Sequence, residues 1–189
     1  MKRGILAAAL GAALLLGGCG AGESASQPEQ PAQMQLLYDK ETLDPDCAAV
    51  AERYFQAIQD QDFEAYKACI FPVYYDYMER MLQENYQYGM EQSFRNRCRG
   101  FLGEGHSSYQ FTSLQMSYAA DESLDAYFTN MEPIFGADFQ KDIQGAMEES
   151  HVILFSLNAR FDGGTEEKTL VQDNELILAK AKGRYYVFG

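Results

Sequence analysis

The 189-residue chain has no tryptophan, only two histidines and four cysteines, and 15 lysines and arginines against 28 aspartates and glutamates. Each shortage closes a class of function. A formal charge of −13 argues against general nucleic-acid binding, which needs a basic footprint. The absence of any Cys-x-x-Cys pair removes the usual spacing of a structural zinc site. No His-Glu-x-x-His, Gly-x-Ser-x-Gly, P-loop or dinucleotide fingerprint occurs. Gly100, Gly103 and Gly105 are spaced differently and follow a helical pattern rather than a strand. His106 and Ser107 are neighbours in sequence, but a nucleophile and its base must converge in space. No catalytic residue, metal or cofactor is therefore assigned. The apolar run over residues 5–16 is shorter than the ~20 residues a spanning helix needs.

What remains describes one globular domain behind an address. Lys2 and Arg3 precede the apolar run, and Leu16-Gly17-Gly18-Cys19 closes it with small residues before a thiol. This resembles a bacterial lipoprotein signal, in which the cysteine is lipidated and becomes the new N-terminus. The resemblance implies lipidation of Cys19 and a place in the bacterial cell envelope, on the extracytoplasmic side of a membrane. Several acyl chains anchor stably where one does not. Removing residues 1–18 takes away two cations and no acid, which moves the charge from −13 to −15. Residues 20–35 are Gly, Ala, Ser, Glu and Gln with Pro28, Pro31 and the single bulky apolar Met34, a composition that cannot offset ordering entropy. The expected organisation is a signal peptide over 1–18, anchor and flexible linker over 19–43, and one domain over 44–189. Leu36, Leu37 and Tyr38 sit where the linker could first touch that domain.

Asp44-Pro45-Asp46 reads as a helix start: a capping acid, proline in the first turn and a second acid. Cys47, Val50, Ala51, Tyr54, Phe55 and Ile58 follow at helical spacing. Asp60-Gln61-Asp62 breaks this helix, and Asp62 caps a short second one over 63–70. Asp60-x-Asp62-x-Glu64 lacks the glycine and distal glutamate of a calcium loop, so capping explains these acids. Met78, Leu82, Tyr86, Met90 and Phe94 recur every four residues and predict one long helix over 72–99, with Gly89 its weak point. Arg95, Arg97 and Arg99 suit the negative end of its dipole. Residues 108–118 predict a strand, and Asp121 a cap for a helix through Met131. Residues 143–149 fit either helix or strand. Ile153, Phe155, Leu157, Ala159 and Phe161 alternate as a strand, Asp162-Gly163-Gly164 is a hairpin turn, and further strand pieces follow to Phe188. Helices first and an antiparallel sheet last give an α+β class.

Glu52-Arg53-Tyr54-Phe55-Gln56-Ala57-Ile58 with Gln61-Asp62-Phe63-Glu64-Ala65-Tyr66 resembles the opening helix pair of nuclear-transport-factor-2-like domains, also called cystatin-like cones. Lys182-Gly183-Arg184-Tyr185-Tyr186-Val187 is similar to the hairpin that ends many of them, with Tyr185 in place of the usual tryptophan. The resemblance covers about residues 44–189 and implies N-terminal helices packed on a curved antiparallel sheet. Members include enzymes, binding modules and lipoproteins. Tyr74, Tyr75, Tyr77, Tyr86 and Tyr88 are the candidate contact residues, either as an aromatic cleft wall or as core packing. Cys47, Cys69 and Cys98 allow at most one disulfide; buried, unpaired thiols are the simpler expectation. The expected function is a non-catalytic, lipid-anchored binding module for an unknown envelope protein or small ligand. The alternatives are an enzyme with a Tyr/Asp acid–base pair in an internal pocket, and a structural or oligomerising domain.

Overall fold

The structure is a computed structural model that describes residues 33–188. The described residues form β1 (Gln35–Leu37), α1 (Pro45–Gln59), α2 (Phe63–Cys69), α3 (Pro72–Tyr86), α4 (Met90–Leu102), β2 (Tyr109–Tyr118), α5 (Asp125–Phe135), α6 (Asp138–Ala146), β3 (Glu149–Phe161), β4 (Lys168–Ala181) and β5 (Arg184–Val187). Six helices pack against a five-stranded sheet that curls into a half-barrel, the expected α+β cone-like arrangement.

The first helices form where local chemistry directs them. Asp44 accepts a hydrogen bond from the Asp46 amide at 2.8 Å, and Pro45 occupies the first turn, where its missing N–H costs nothing. Gln61 takes a left-handed conformation (φ 55°) that reverses the chain. Asp62 then caps α2 by accepting from the Ala65 amide at 3.0 Å.

The expected long helix over 72–99 is two helices. The chain breaks after Tyr86, where Gln87 is left-handed (φ 60°) and Gly89 caps the next helix. Glu79, on α3, accepts the Met90 amide at 2.6 Å and so supplies an acceptor for the first turn of α4. The four-residue period continues across the break, which hides it. Asp121 also acts differently from its expected role. It binds the Ser123 amide in a turn, and Leu124 is the residue flanking α5. Residues 143–149 split, the first four closing α6 and Glu149 opening β3.

The strand order is β1-β2-β3-β4-β5, with β1 parallel to β2 and the other pairs antiparallel. The expected all-antiparallel sheet thus carries one parallel edge, set by Gln35 against Ser113 and Leu37 against Gln115. That edge, with buried Met34 and Leu43, lies upstream of the Asp44 start. β4 and β5 are joined by the two-residue turn Lys182-Gly183, both at positive φ, which matches the right-handed twist of the strands; the longer β3–β4 loop over 162–167 opens with the same pairing at Asp162-Gly163. β4 runs unbroken through Gln172-Asp173-Asn174 but bulges there, with Asp173 left-handed.

Two apolar clusters hold the sheet from opposite sides. One packs Phe55 and Ile58 of α1 against Phe111, Leu114, Ile153, Leu157 and Leu178. The other packs Phe71, Phe128, Phe139, Ile143 and Phe188 against Val152, Ile177 and Ala179. Successive strand residues face opposite ways, so the buried run Leu176-Ile177-Leu178-Ala179 records a strand covered on both faces.

Candidate functional site

A cleft of about 470 Å³ opens between the α1–α2 corner, α4 and the loop entering β2. Phe63, Phe94 and Tyr109 give it an apolar floor, and Gln59, Gln61, Arg95, Arg99, Ser107 and Ser108 supply polar walls. Gln59 Oε1 accepts the Phe111 amide at 2.6 Å, and the Tyr109 hydroxyl donates to the Ile58 carbonyl at 3.2 Å. These bonds pin the α1 end of the cleft to β2. Arg95 pairs with Glu91 at 2.5 Å one helical turn away. Arg99, one turn further along the same face, has no hydrogen bond or ion pair among the described residues.

The opposite wall is fixed by Asp162, a left-handed residue in the β3–β4 turn. Its carboxylate meets His106 Nδ1 at 2.7 Å, the Ser107 amide at 2.7 Å, the Ser107 hydroxyl at 2.8 Å and the Ser108 amide at 3.1 Å. The His106 contact first, then the Ser107 donors, hold this carboxyl well below the usual carboxylate range. His106 also stacks on Phe161 at 4.2 Å. Serine, histidine and aspartate therefore meet here, but not as a catalytic triad. In a triad the imidazole takes the serine proton, whereas Ser107 donates directly to the aspartate. The wiring is that of a loop clamp.

A second cluster lies around His151. Its Nδ1 meets Glu122 and its Nε2 meets Glu149, each at 2.8 Å. Glu149 also accepts from the Tyr185 hydroxyl at 2.5 Å and from Lys180 at 3.3 Å. The Tyr118 ring lies tilted beside the imidazole with centroids 4.8 Å apart, and its hydroxyl accepts from the Asp44 amide. The Tyr185 bond, then those from His151 and Lys180, lower Glu149 to about 2. Burial pulls His151 down, but its bonds to Glu149 and Glu122 outweigh this, so its pKa is raised. Cys47 is adjacent, and burial first and Asp44 second push its thiol up to about 12. Cys47, Cys69 and Cys98 are all buried and unpaired.

The five candidate tyrosines do not form one wall. Tyr74 and Tyr77 turn towards the second apolar cluster, Tyr74 against Phe188 at 5.3 Å and Tyr77 against Phe139 at 5.1 Å. Tyr75 sits under Lys67 and lines a separate shallow cleft with Pro72. Tyr86 is 60% exposed at the end of α3, and Tyr88 lies in the break between helices. A tyrosine–aspartate pair does occur: the Tyr77 hydroxyl donates to Asp142 at 2.7 Å. It joins α3 to α6, and neither residue lines the two clefts above or the smaller one beside Arg53 and Arg184.

Gln59, Gln61, Arg95 and Arg99 were not singled out as site residues from the sequence. The signal available was the four-residue separation of Arg95 and Arg99, which puts both on one helical face and leaves Arg97 to bond the Tyr54 hydroxyl. Among the described residues no His, Cys, Asp and Glu group could hold a metal ion, and no helix is long and apolar enough to cross a membrane. Cys19 and the signal-like segment lie outside the described residues. Comparison with protein-family models, with curated proteins and with solved structures found no match for this chain.

Proposed function

We propose that the protein is a non-catalytic, lipid-anchored binding module of the bacterial cell envelope, and that the cleft between α4 and the α1–α2 corner receives its ligand. The observation that carries the binding reading is the pre-set cleft itself. Its volume of about 470 Å³ falls within the usual range for small-ligand sites, and its polar walls are already held by Asp162 and Gln59. Little ordering remains to be done on binding, which favours affinity. The anchoring half rests on the Leu16-Gly17-Gly18-Cys19 run, the basic residues before it and the linker composition after it.

Each half has its own experiment. Metabolic labelling with a radioactive fatty acid should mark the wild-type chain and not Cys19→Ser, and the variant should leave the membrane fraction. Equal labelling of both would end the anchoring reading. Amide shift mapping with a fragment library should place the largest changes at Gln61, Ser107 and Ser108. Shifts confined to other surfaces would end the assignment of the cleft.

A further inference from the structure

We infer that the ligand of this cleft is an organic anion, a carboxylate or phosphate monoester with an apolar body, met by Arg99. This inference rests on the binding reading of the cleft and adds the chemistry of its occupant.

Charge is distributed unevenly along the chain. The protein carries −13, yet three of its 15 cations fall within five residues of α4, at Arg95, Arg97 and Arg99. Two of these have internal work. Arg95 is matched by Glu91, and Arg97 donates to Tyr54. Arg99 is left at the cleft with a guanidinium that has no hydrogen bond or ion pair among the described residues. The carboxylates beside the wall turn to other donors: Asp162 to His106, Ser107 and Ser108, Asp60 to Gln56 and Asp62 to the Ala65 amide. Among the side chains that line the cleft, Arg95 and Arg99 stand against Glu91, one positive charge in excess on an otherwise acidic domain. A guanidinium is a rigid planar fork that matches carboxylate and phosphate oxygens two at a time.

The floor supplies the second half of the description. Phe63, Phe94, Leu102 and Tyr109 offer apolar area, which an inorganic ion cannot use. A ligand that satisfies both walls has an acid group at one end and an aromatic or aliphatic body at the other. The Gln61 amide and the Ser108 hydroxyl stand ready for hydroxyl or amide substituents on that body.

The test uses the full chain in detergent micelles, titrated with benzoate, phenyl phosphate and benzyl alcohol while amide shifts are followed. Benzyl alcohol keeps the ring and removes the charge. The expected result is that the better of the two anions shifts Gln61, Ser107 and Ser108 with at least threefold higher affinity than benzyl alcohol. Arg99→Gln should remove at least threefold of that anion's affinity and leave benzyl alcohol unchanged, and Arg99→Lys should recover part of it. Arg99 is exposed, so these variants should keep the wild-type spectrum elsewhere. Whichever anion binds more tightly assigns the acid group. An anion preference below threefold, or an Arg99→Gln variant that binds the anion like wild type, overturns the anion inference while leaving the cleft a binding site. If no probe shifts the cleft, the binding reading falls and this inference with it.

Discussion

Replacing Glu149 should expose a pH-dependent clamp that ties the loop before α5 to the sheet. Glu149 and Glu122 hold His151 from both sides, and Tyr185 and Lys180 complete the partners of Glu149. The Glu149 carboxyl falls from an ordinary 4.5 to about 2. At 1.36 kcal/mol per pH unit that corresponds to ~3 kcal/mol for a fully buried group. The side chain is 42% exposed, so solvent screening reduces this to about 1–2 kcal/mol. The group's pKa is lowered on folding, so its contribution is complete above the unfolded value of 4.5 and is lost as pH falls towards 2. His151 has the opposite sign. Its pKa is raised, so its contribution is complete below the ordinary 6.5 and is lost as pH rises through the folded value.

Urea titrations of wild type, Glu149→Gln and His151→Gln between pH 3 and 8.5 separate the two. The gap between wild type and Glu149→Gln should be about 1–2 kcal/mol near pH 5.5 and should narrow steadily below pH 4.5. The gap to His151→Gln should narrow on the alkaline side instead. Glu149→Gln should keep part of its gap there, because Tyr185 and Lys180 still serve the carboxylate after His151 loses its proton. Gaps that stay flat from pH 3 to pH 8 would refute the reasoning, since a pH-independent loss reports packing rather than charge.

Three further outcomes follow from the packing. Phe139→Ala removes a ring with no exposure that lies 4.5 Å from Phe135 and 5.1 Å from Tyr77; it should cost about 3–5 kcal/mol and raise hydrogen exchange first in α5 and α6. Loss of less than about 1 kcal/mol in a urea titration would contradict the second apolar cluster. Gly89→Ala has an acceptable φ of −104°, but its Cβ would lie 2.8 Å from Glu79 Oε2, the acceptor of the Met90 amide. It should lower stability by about 1 kcal/mol, the typical value of a helix cap, and an unchanged urea midpoint would show that the α3–α4 break does not depend on this contact. Cys47, Cys69 and Cys98 are buried with raised pKa values, so at pH 8 a thiol reagent should modify them only as fast as the domain opens. Rapid labelling of any of them in the native state would contradict their burial.

The parts of the fold that were legible in the sequence are those written locally. Asp44-Pro45-Asp46 carries the start of α1 in three residues, and Asp162-Gly163 and Lys182-Gly183 carry the hairpins in two. The break between α3 and α4 was not legible because Met78, Leu82, Tyr86, Met90 and Phe94 keep one period across it. Their alignment belongs to two helices that meet through Glu79 and Met90, a contact between residues eleven apart. α6 left little trace, since Phe139 and Ile143 are its only buried residues and two apolar positions do not make a period. β1 is three residues long and owes its strand form to its partner β2, not to its own sequence. Among the candidate tyrosines, composition drew attention to the right kind of side chain without its location. The cleft joins residues 59–63, 91–102 and 107–109, and no local pattern joins segments so far apart.

The position of the cleft follows from how the rest of the molecule is filled. α1 covers one face of the sheet with Phe55 and Ile58, while α3, α5 and α6 cover the end of the other face through Phe71, Phe128 and Phe139. Large aromatic side chains occupy both spaces, so room for a ligand opens where elements part rather than between the layers. The α1–α2 corner is such a place. Gln61 must take a left-handed turn there so that Asp62 can start α2, and this carries Phe63 away from the end of α1. α4 crosses the gap with Phe94 facing in, and the loop beyond Leu102 is brought to the far side by Asp162. The acids that build these corners face their own caps and turns. Arg99 on α4 is then left at the opening without a hydrogen bond or ion pair among the described residues, so the same local capping that folds an acidic protein leaves a guanidinium beside its cleft.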